Sequence, residues 1–175
     1  MDSRLKSGDL GVLCKLDMEK VYDHVDWNFL LYLLRRCGLG EKWCLWIKQC
    51  ISTARFSVLI NGVPSGFFGS SRGVRKGDHL SPFLFVLVME AFRKMLGAIT
   101  SRELITGFLV GSSEQNWVVV SHLLFVDDTL VFCWANASQI RHIRALLVCF
   151  EAVSGLKVNL SKSALVPIGS LGDVD

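Results

Sequence analysis

A chain of 175 residues, 51% of them hydrophobic and carrying a net charge of +3, can bury one core but little more than one domain. Abundant Leu, Val, Ile and Phe without low-complexity runs exclude extended disorder, and so small a positive charge excludes a surface that holds nucleic acid by counterion release alone. The mean hydropathy of +0.41 is high, yet the longest uncharged apolar run, Leu80 to Met89, falls far short of the roughly 20 residues that span a bilayer. The excess therefore points to a hidden interface rather than a membrane. Met1 to Leu10 has neither the apolar stretch of a signal peptide nor an Arg-rich transit pattern, so the expected location is intracellular. Six cysteines at irregular spacings, without a C-x-x-C pair or a nearby histidine doublet, read as buried free thiols rather than zinc ligands or disulfides.

Taken in chain order, the first element is a strand ending at Cys14 to Leu16. Asp26 then caps a helix through Cys37, with Gly38 at the position after its end. A second helix runs from Glu41 to about Ser52, where Trp43, Trp46, Ile47, Cys50 and Ile51 recur at helical spacing and predict one buried stripe. Arg55 to Ile60 and Val63 to Phe68 flank Asn61-Gly62, a pair suited to a tight hairpin turn. After the Gly-rich stretch Gly69 to Gly77, Ser81 and Pro82 predict the N-cap and first position of an apolar helix reaching about Ile99. Val118 to Phe125 and Thr129 to Cys133 read as strands joined by Val126-Asp127-Asp128. The helix around Ile140, Ile143, Leu147 and Phe150 ends at Gly155, and a last strand covers roughly Lys157 to Val166. No repeat, linker or charge block divides this α+β pattern into two domains.

Asp127 and Asp128 are adjacent carboxylates between two strands that are otherwise uncharged. Asp is a good turn former, which would account for a lone pair. Asp17, directly after an apolar strand far upstream, changes the reading, because two strands can bring all three carboxylates together. Clustered carboxylates repel unless cations neutralise them, and hard oxygen donors suit Mg²⁺ or Mn²⁺. Two such ions about 3.5 to 4 Å apart activate an attacking hydroxyl and stabilise a leaving oxygen, the arrangement of in-line phosphoryl displacement. Nucleotidyl transfer is the implied chemistry.

Leu16-Asp17-Met18-Glu19-Lys20-Val21-Tyr22-Asp23 resembles motif A of reverse transcriptases of the non-LTR, LINE type. Arg72-Gly73-Val74-Arg75-Lys76-Gly77-Asp78-His79-Leu80-Ser81-Pro82 resembles motif B. Phe125-Val126-Asp127-Asp128 is similar to motif C, and Gly155 to Ser163 to motif D. The four motifs arrive in order, and their wording is closest to plant retrotransposon copies. The resemblance implies a palm, an antiparallel sheet backed by helices with a ferredoxin-like core. In it Asp17, Asp127 and Asp128, helped by the backbone carbonyl of Met18, bind two Mg²⁺ ions, for which Mn²⁺ can substitute. It also implies that Tyr22 is a steric gate against a 2′-hydroxyl, where the alternative is ordinary aromatic packing. Gly77 would let the backbone approach the nascent base pair, or be a mere turn. Lys162 would stand near the leaving pyrophosphate, or be a solvated surface lysine.

The partners so implied are an RNA template, a DNA primer, dNTPs and the other polymerase subdomains, with no membrane and a nuclear site of action. Residues 1–175 read as one partial reverse transcriptase domain without fingers, thumb or endonuclease, a truncated element copy inactive by itself. The sequence departs from the family at Lys76, where Gln is usual, at His79, where Pro is common, and at Val126, where Ala is usual. Two other readings are a non-catalytic interaction module that keeps the fold, and a different two-metal nucleotide enzyme such as a cyclase. Motifs B and D argue against the cyclase, which has no template to read.

Overall fold

A computed structural model describes residues 10–111, 117–126 and 128–169. Its centre is β1 (Gly11–Glu19), in which Val12, Cys14, Leu16 and Met18 are buried. Because strand side chains alternate, Leu13, Lys15, Asp17 and Glu19 must face the other way. β7 (Asp128–Trp134) pairs antiparallel with β1 from Gly11↔Trp134 to Asp17↔Asp128, and buries Thr129, Val131 and Cys133 on the same face. β6 (His122–Phe125) adds to β7 on its far side. The other edge of β1 takes β8 (Lys157–Val158) and β9 (Ala164–Ile168) in succession, completing a five-stranded antiparallel sheet.

Helices cover the buried face. α1 (Val21–His24) is one short turn that follows β1. α2 (Trp27–Arg36) is capped by Asp26, whose carboxylate accepts the Phe29 N–H at 2.9 Å, and Gly38 follows its end with φ +86°. α3 (Glu41–Ser52) packs on α2, and the long α4 (Leu80–Ser101) and α5 (Ala137–Ser154) complete the layer. One core joins Leu30 and Leu34 of α2, Leu84, Val88, Phe92 and Leu96 of α4, and Ile143 and Phe150 of α5 to the sheet. Phe150 is its hub, with ring centroids 4.6 Å from Phe92 and 6.4 Å from Phe29. The α+β class and the helix-backed antiparallel sheet are as the sequence predicts.

Several local expectations need correction. In α3 the buried residues are Cys44, Ile47 and Ile51, whereas Trp43 and Trp46 are exposed and pack edge to face at 5.0 Å. The helix turns its small and aliphatic residues to α2, leaving the indoles with Leu39, Leu80 and Phe83 around an open apolar groove of about 460 Å³. α4 begins before Ser81, which is buried; the Asp78 carboxylate accepts the Leu80 N–H at 2.8 Å instead. Pro82 still lies in the first turn, where the missing N–H has no intrahelical acceptor. The single strand expected over Val118 to Phe125 is divided at Ser121: β5 (Val118–Val120) pairs with an unforeseen β4 (Phe108–Val110), and only β6 joins the main sheet. The last strand is likewise split into β8 and β9. Cys14, Cys44 and Cys133 are buried but Cys37, Cys50 and Cys149 are exposed, and no disulfide forms among the described residues. A hydrogen bond with Cys133, then burial, holds the Cys14 thiol well above the usual thiol range, so it is an inert core group.

The hairpin of β2 (Arg55–Ile60) and β3 (Val63–Gly69), connected by Asn61-Gly62 with positive φ at both, projects apolar residues outward. Val58, Leu59, Ile60, Val63, Phe67 and Phe68 are all exposed. Together with the indoles of α3, these residues form an exposed apolar surface. Among the described residues, no helix is long and apolar enough to cross a membrane.

Candidate active site

Asp17 and Asp128 stand directly opposite each other across β1 and β7, on the face away from the helices. The Asp17 N–H and C=O are both engaged on the far edge of β1, by the Ser163 hydroxyl at 3.1 Å and the Asn159 N–H at 2.8 Å. Asp17 and Asp128 are therefore a non-hydrogen-bonded pair, the kind whose Cα atoms approach to about 4.5 Å and whose side chains lie closer. Like charges in that relation are destabilising. Lys15, on the same face two residues earlier, brings its Nζ to 3.8 Å from Asp128 Oδ1, but both side chains are about half exposed, at 50% and 47%. An exposed pair of this kind offsets little of the repulsion.

Asp127 lies outside the described residues. Phe125 pairs with Asp128, the pair at which the β6–β7 ladder begins. Val126, directly after β6, has φ +53°, in the left-handed region. A β-branched residue there is strained by roughly 1–2 kcal/mol, and the strain sits at the tip of motif C. Met18 is buried in β1 and pairs with Val158 of β8. Among the described residues, no group of three or more His, Cys, Asp or Glu converges to hold a metal.

Tyr22 lies on α1, one turn beyond Asp17, with its ring 5.4 Å from Phe85 of α4. It lines a cleft of about 300 Å³ with Phe85, Met89, Leu124 and Val126. Glu90 and Arg93 pair at 2.6 Å on the same wall, and the hydrogen bond from Arg93 holds the Glu90 carboxyl below the usual carboxylate range. On the neighbouring β6, burial and then the Arg93 charge lower the His122 pKa, and its ring shares a 2.8 Å hydrogen bond with the Ser121 hydroxyl.

The loop of motif B is tied to α1 rather than to the sheet. Gly73 N–H donates to Val25 O at 2.8 Å, Val74 N–H to Tyr22 O at 2.6 Å, and the Trp27 indole N–H to Gly73 O at 2.6 Å. Gly77 has φ +88° but open space where a Cβ would stand, so within this chain its backbone conformation alone calls for glycine. Lys76, His79 and Lys162 are exposed; Lys162 rides on the turn between β8 and β9.

These motifs, in this order and on this sheet, decide the family. A family model described as "Reverse transcriptase (RNA-dependent DNA polymerase)" matches residues 4–172. The chain belongs to the reverse transcriptase family. An uncharacterized mitochondrial protein of Arabidopsis thaliana is 35% identical over 114 residues, covering 65% of this chain and 89% of that protein. A Pol polyprotein of the type-1 retrotransposable element R2 from Nasonia vitripennis is 32% identical over 119 residues, 66% of this chain but 10% of the polyprotein. An uncharacterized 149 kDa protein of transposon TX1 from Xenopus laevis is 27% identical over 89% of this chain, which spans 11% of its length. Apo telomerase from Candida tropicalis has the same fold, with a TM-score of 0.67 at 16% identity over 95% of this chain and 33% of that one.

The motifs of this reverse transcriptase chain pointed to candidate residues such as Asp17 and Asp128, but not to the groups that hold them in place. Lys15, Trp27, Gly73, Asn159 and Ser163 had no role assigned from sequence. For the last two a signal existed, since Asn and Ser at alternate positions 159, 161 and 163 are formers of side-chain-closed turns.

Proposed function

We propose that this reverse transcriptase domain is the nucleotidyl-transferring palm of an RNA-directed DNA polymerase from a retrotransposon of the LINE type. The observation that carries the reading is the facing of Asp17 and Asp128 on the open side of the sheet in a chain of this family. Two carboxylates in a close cross-strand pair form a hard-oxygen donor set whose repulsion a divalent cation would relieve. In this reading Asp17, Asp127, Asp128 and the Met18 carbonyl hold two Mg²⁺ ions. When bound, the ions lower the pKa of the primer hydroxyl and stabilise the leaving oxygen. Tyr22 bounds the cleft beneath the incoming sugar, Gly77 lies against the nascent base pair, and Lys162 offers its ammonium to the pyrophosphate. RNA template, DNA primer and dNTPs are the partners. The exposed β2–β3 hairpin and α3 indoles would meet the remaining polymerase subdomains.

Calorimetric titration with Mn²⁺ tests the metal assignment. Weak binding is expected in the native chain and none in the Asp17→Asn, Asp127→Asn double variant; undiminished heat in the double variant would remove the assignment. Primer extension on an RNA template by the 175-residue chain is expected to stay at background, because its net charge of +3 supplies few phosphate contacts. Robust extension lost on Asp127→Asn would make the chain sufficient by itself. The second reading, a non-catalytic module that keeps the fold, is favoured by Lys15, whose cation already approaches Asp128 and competes for it. Absence of Mn²⁺ binding in the native chain would select that reading.

A further inference from the structure

β1 is paired along its outer edge everywhere except at Leu16 and Asp17: β8 ends opposite Met18 and β9 begins opposite Lys15. Across that gap the chain inserts the turn 159–163 instead of ladder residues. The turn closes on Asn159, whose carbonyl accepts the N–H groups of Lys162 at 3.1 Å and Ser163 at 2.9 Å, while its side-chain oxygen accepts from Ser161. The Ser163 hydroxyl does two jobs, donating to Asn159 O at 2.8 Å and accepting the Asp17 N–H at 3.1 Å. The Asn159 N–H donates to Asp17 O. Both backbone groups of the first acidic residue are thus held by the turn that carries Lys162. A regular ladder would supply the same two bonds, but with no room for the turn.

We infer that Ser163 is a positioning residue for Asp17: its hydroxyl substitutes for a strand partner, fixing the Asp17 backbone so that the carboxylate faces Asp128 and stands in fixed relation to Lys162. The inference rests on the metal-binding reading above. Without the hydroxyl, the Asp17 N–H loses its acceptor and the turn loses its closure onto the strand. The Asp17 carboxylate would then sample orientations away from the pair, and a weak cation site made of few ligands loses affinity when one of them is not preorganised.

The test uses the whole 175-residue chain in four forms: native, Ser163→Ala, Ser163→Thr and Ser161→Ala, the last removing a hydroxyl of the same turn that does not reach Asp17. Two quantities are read, amide hydrogen exchange at Asp17 by NMR and Mn²⁺ affinity by titration. Ser163→Ala is expected to speed exchange at Asp17 by about tenfold or more while Cys14 stays protected, and to weaken Mn²⁺ binding by about two- to tenfold. Ser163→Thr, which keeps the hydroxyl, and Ser161→Ala should stay within about twofold of the native chain in both. Unchanged Asp17 exchange in Ser163→Ala, or faster exchange with native Mn²⁺ affinity, overturns the positioning role and leaves the metal reading intact. Equal losses of affinity in Ser163→Thr and Ser163→Ala also overturn it, since a merely structural disturbance of the turn would then suffice. A native chain that binds no Mn²⁺ removes the metal reading, and the positioning role with it, whatever the exchange rates.

Discussion

Gly73→Ala is expected to destabilise the fold by about 3–5 kcal/mol, against about 1–2 kcal/mol for Gly77→Ala a few residues later. Both glycines have φ in the left-handed region, +80° and +88°, so each substitution meets the same conformational penalty. Their surroundings differ. A Cβ on Gly73 would lie 2.6 Å from Asp23 O and 2.8 Å from Tyr22 O, whereas one on Gly77 meets nothing within 4 Å. The obstructing atoms at Gly73 are backbone, which cannot swing aside, so relief requires the motif B loop to lift from α1. Lifting breaks the bonds from Gly73 to Val25, from Val74 to Tyr22 and from Trp27 to Gly73, each worth about 0.5–1.5 kcal/mol net. Gly155 presses on the same segment from the other side, where a Cβ would stand 2.5 Å from His24 O. The short helix bearing Tyr22 is therefore clasped between motifs B and D by two positions that only glycine can fill. Urea unfolding of the two variants side by side measures the difference; equal losses would mean that the Gly73 contact yields without cost.

Phe150→Ala should cost about 3–5 kcal/mol by the same measurement, the range for emptying a packed aromatic site. The ring is wholly buried and touches Phe92 of α4 and Phe29 of α2. Those elements also hold their places through the sheet, so they cannot all close on the space left behind. Phe67→Ala on the exposed β2–β3 hairpin, 72% exposed, serves as the comparison and should stay within about 0.5 kcal/mol. A loss under about 1 kcal/mol at Phe150 would be incompatible with a rigid three-helix contact at that ring.

Much of the frame was legible because its signals are local. Asp26 was expected to cap a helix and its carboxylate does accept the Phe29 N–H; Asn61-Gly62 was expected to turn a hairpin and both residues have positive φ. Gly155 ends α5 in the left-handed conformation, as expected. The errors fell where two solutions share one local pattern. Trp43 and Trp46 share helical spacings with Ile47 and Ile51, and periodicity cannot say which side of an apolar helix meets its neighbour. The run Val118 to Phe125 is continuously β-forming, so only the partners available to each half could divide it at Ser121.

At the candidate site, the family and the candidate carboxylates Asp17, Asp127 and Asp128 could be read from the chain, because family motifs are short, ordered words. The alternation of Val12, Cys14, Leu16 and Met18 with Lys15, Asp17 and Glu19 already turns Asp17 from the buried face, but it leaves open which distant strand residue stands across from it. Pairing of β1 with β7 from Gly11↔Trp134 onward made that choice, bringing Asp17 opposite Asp128. Nor could the sequence reveal that Ser163 and Asn159 close on Asp17, or that Gly73 closes on Tyr22. A turn-forming Asn or Ser and a Gly can be seen in the chain, but their targets here are backbone groups of distant segments, and nothing local says which backbone they will meet until the fold brings the segments within hydrogen-bonding reach.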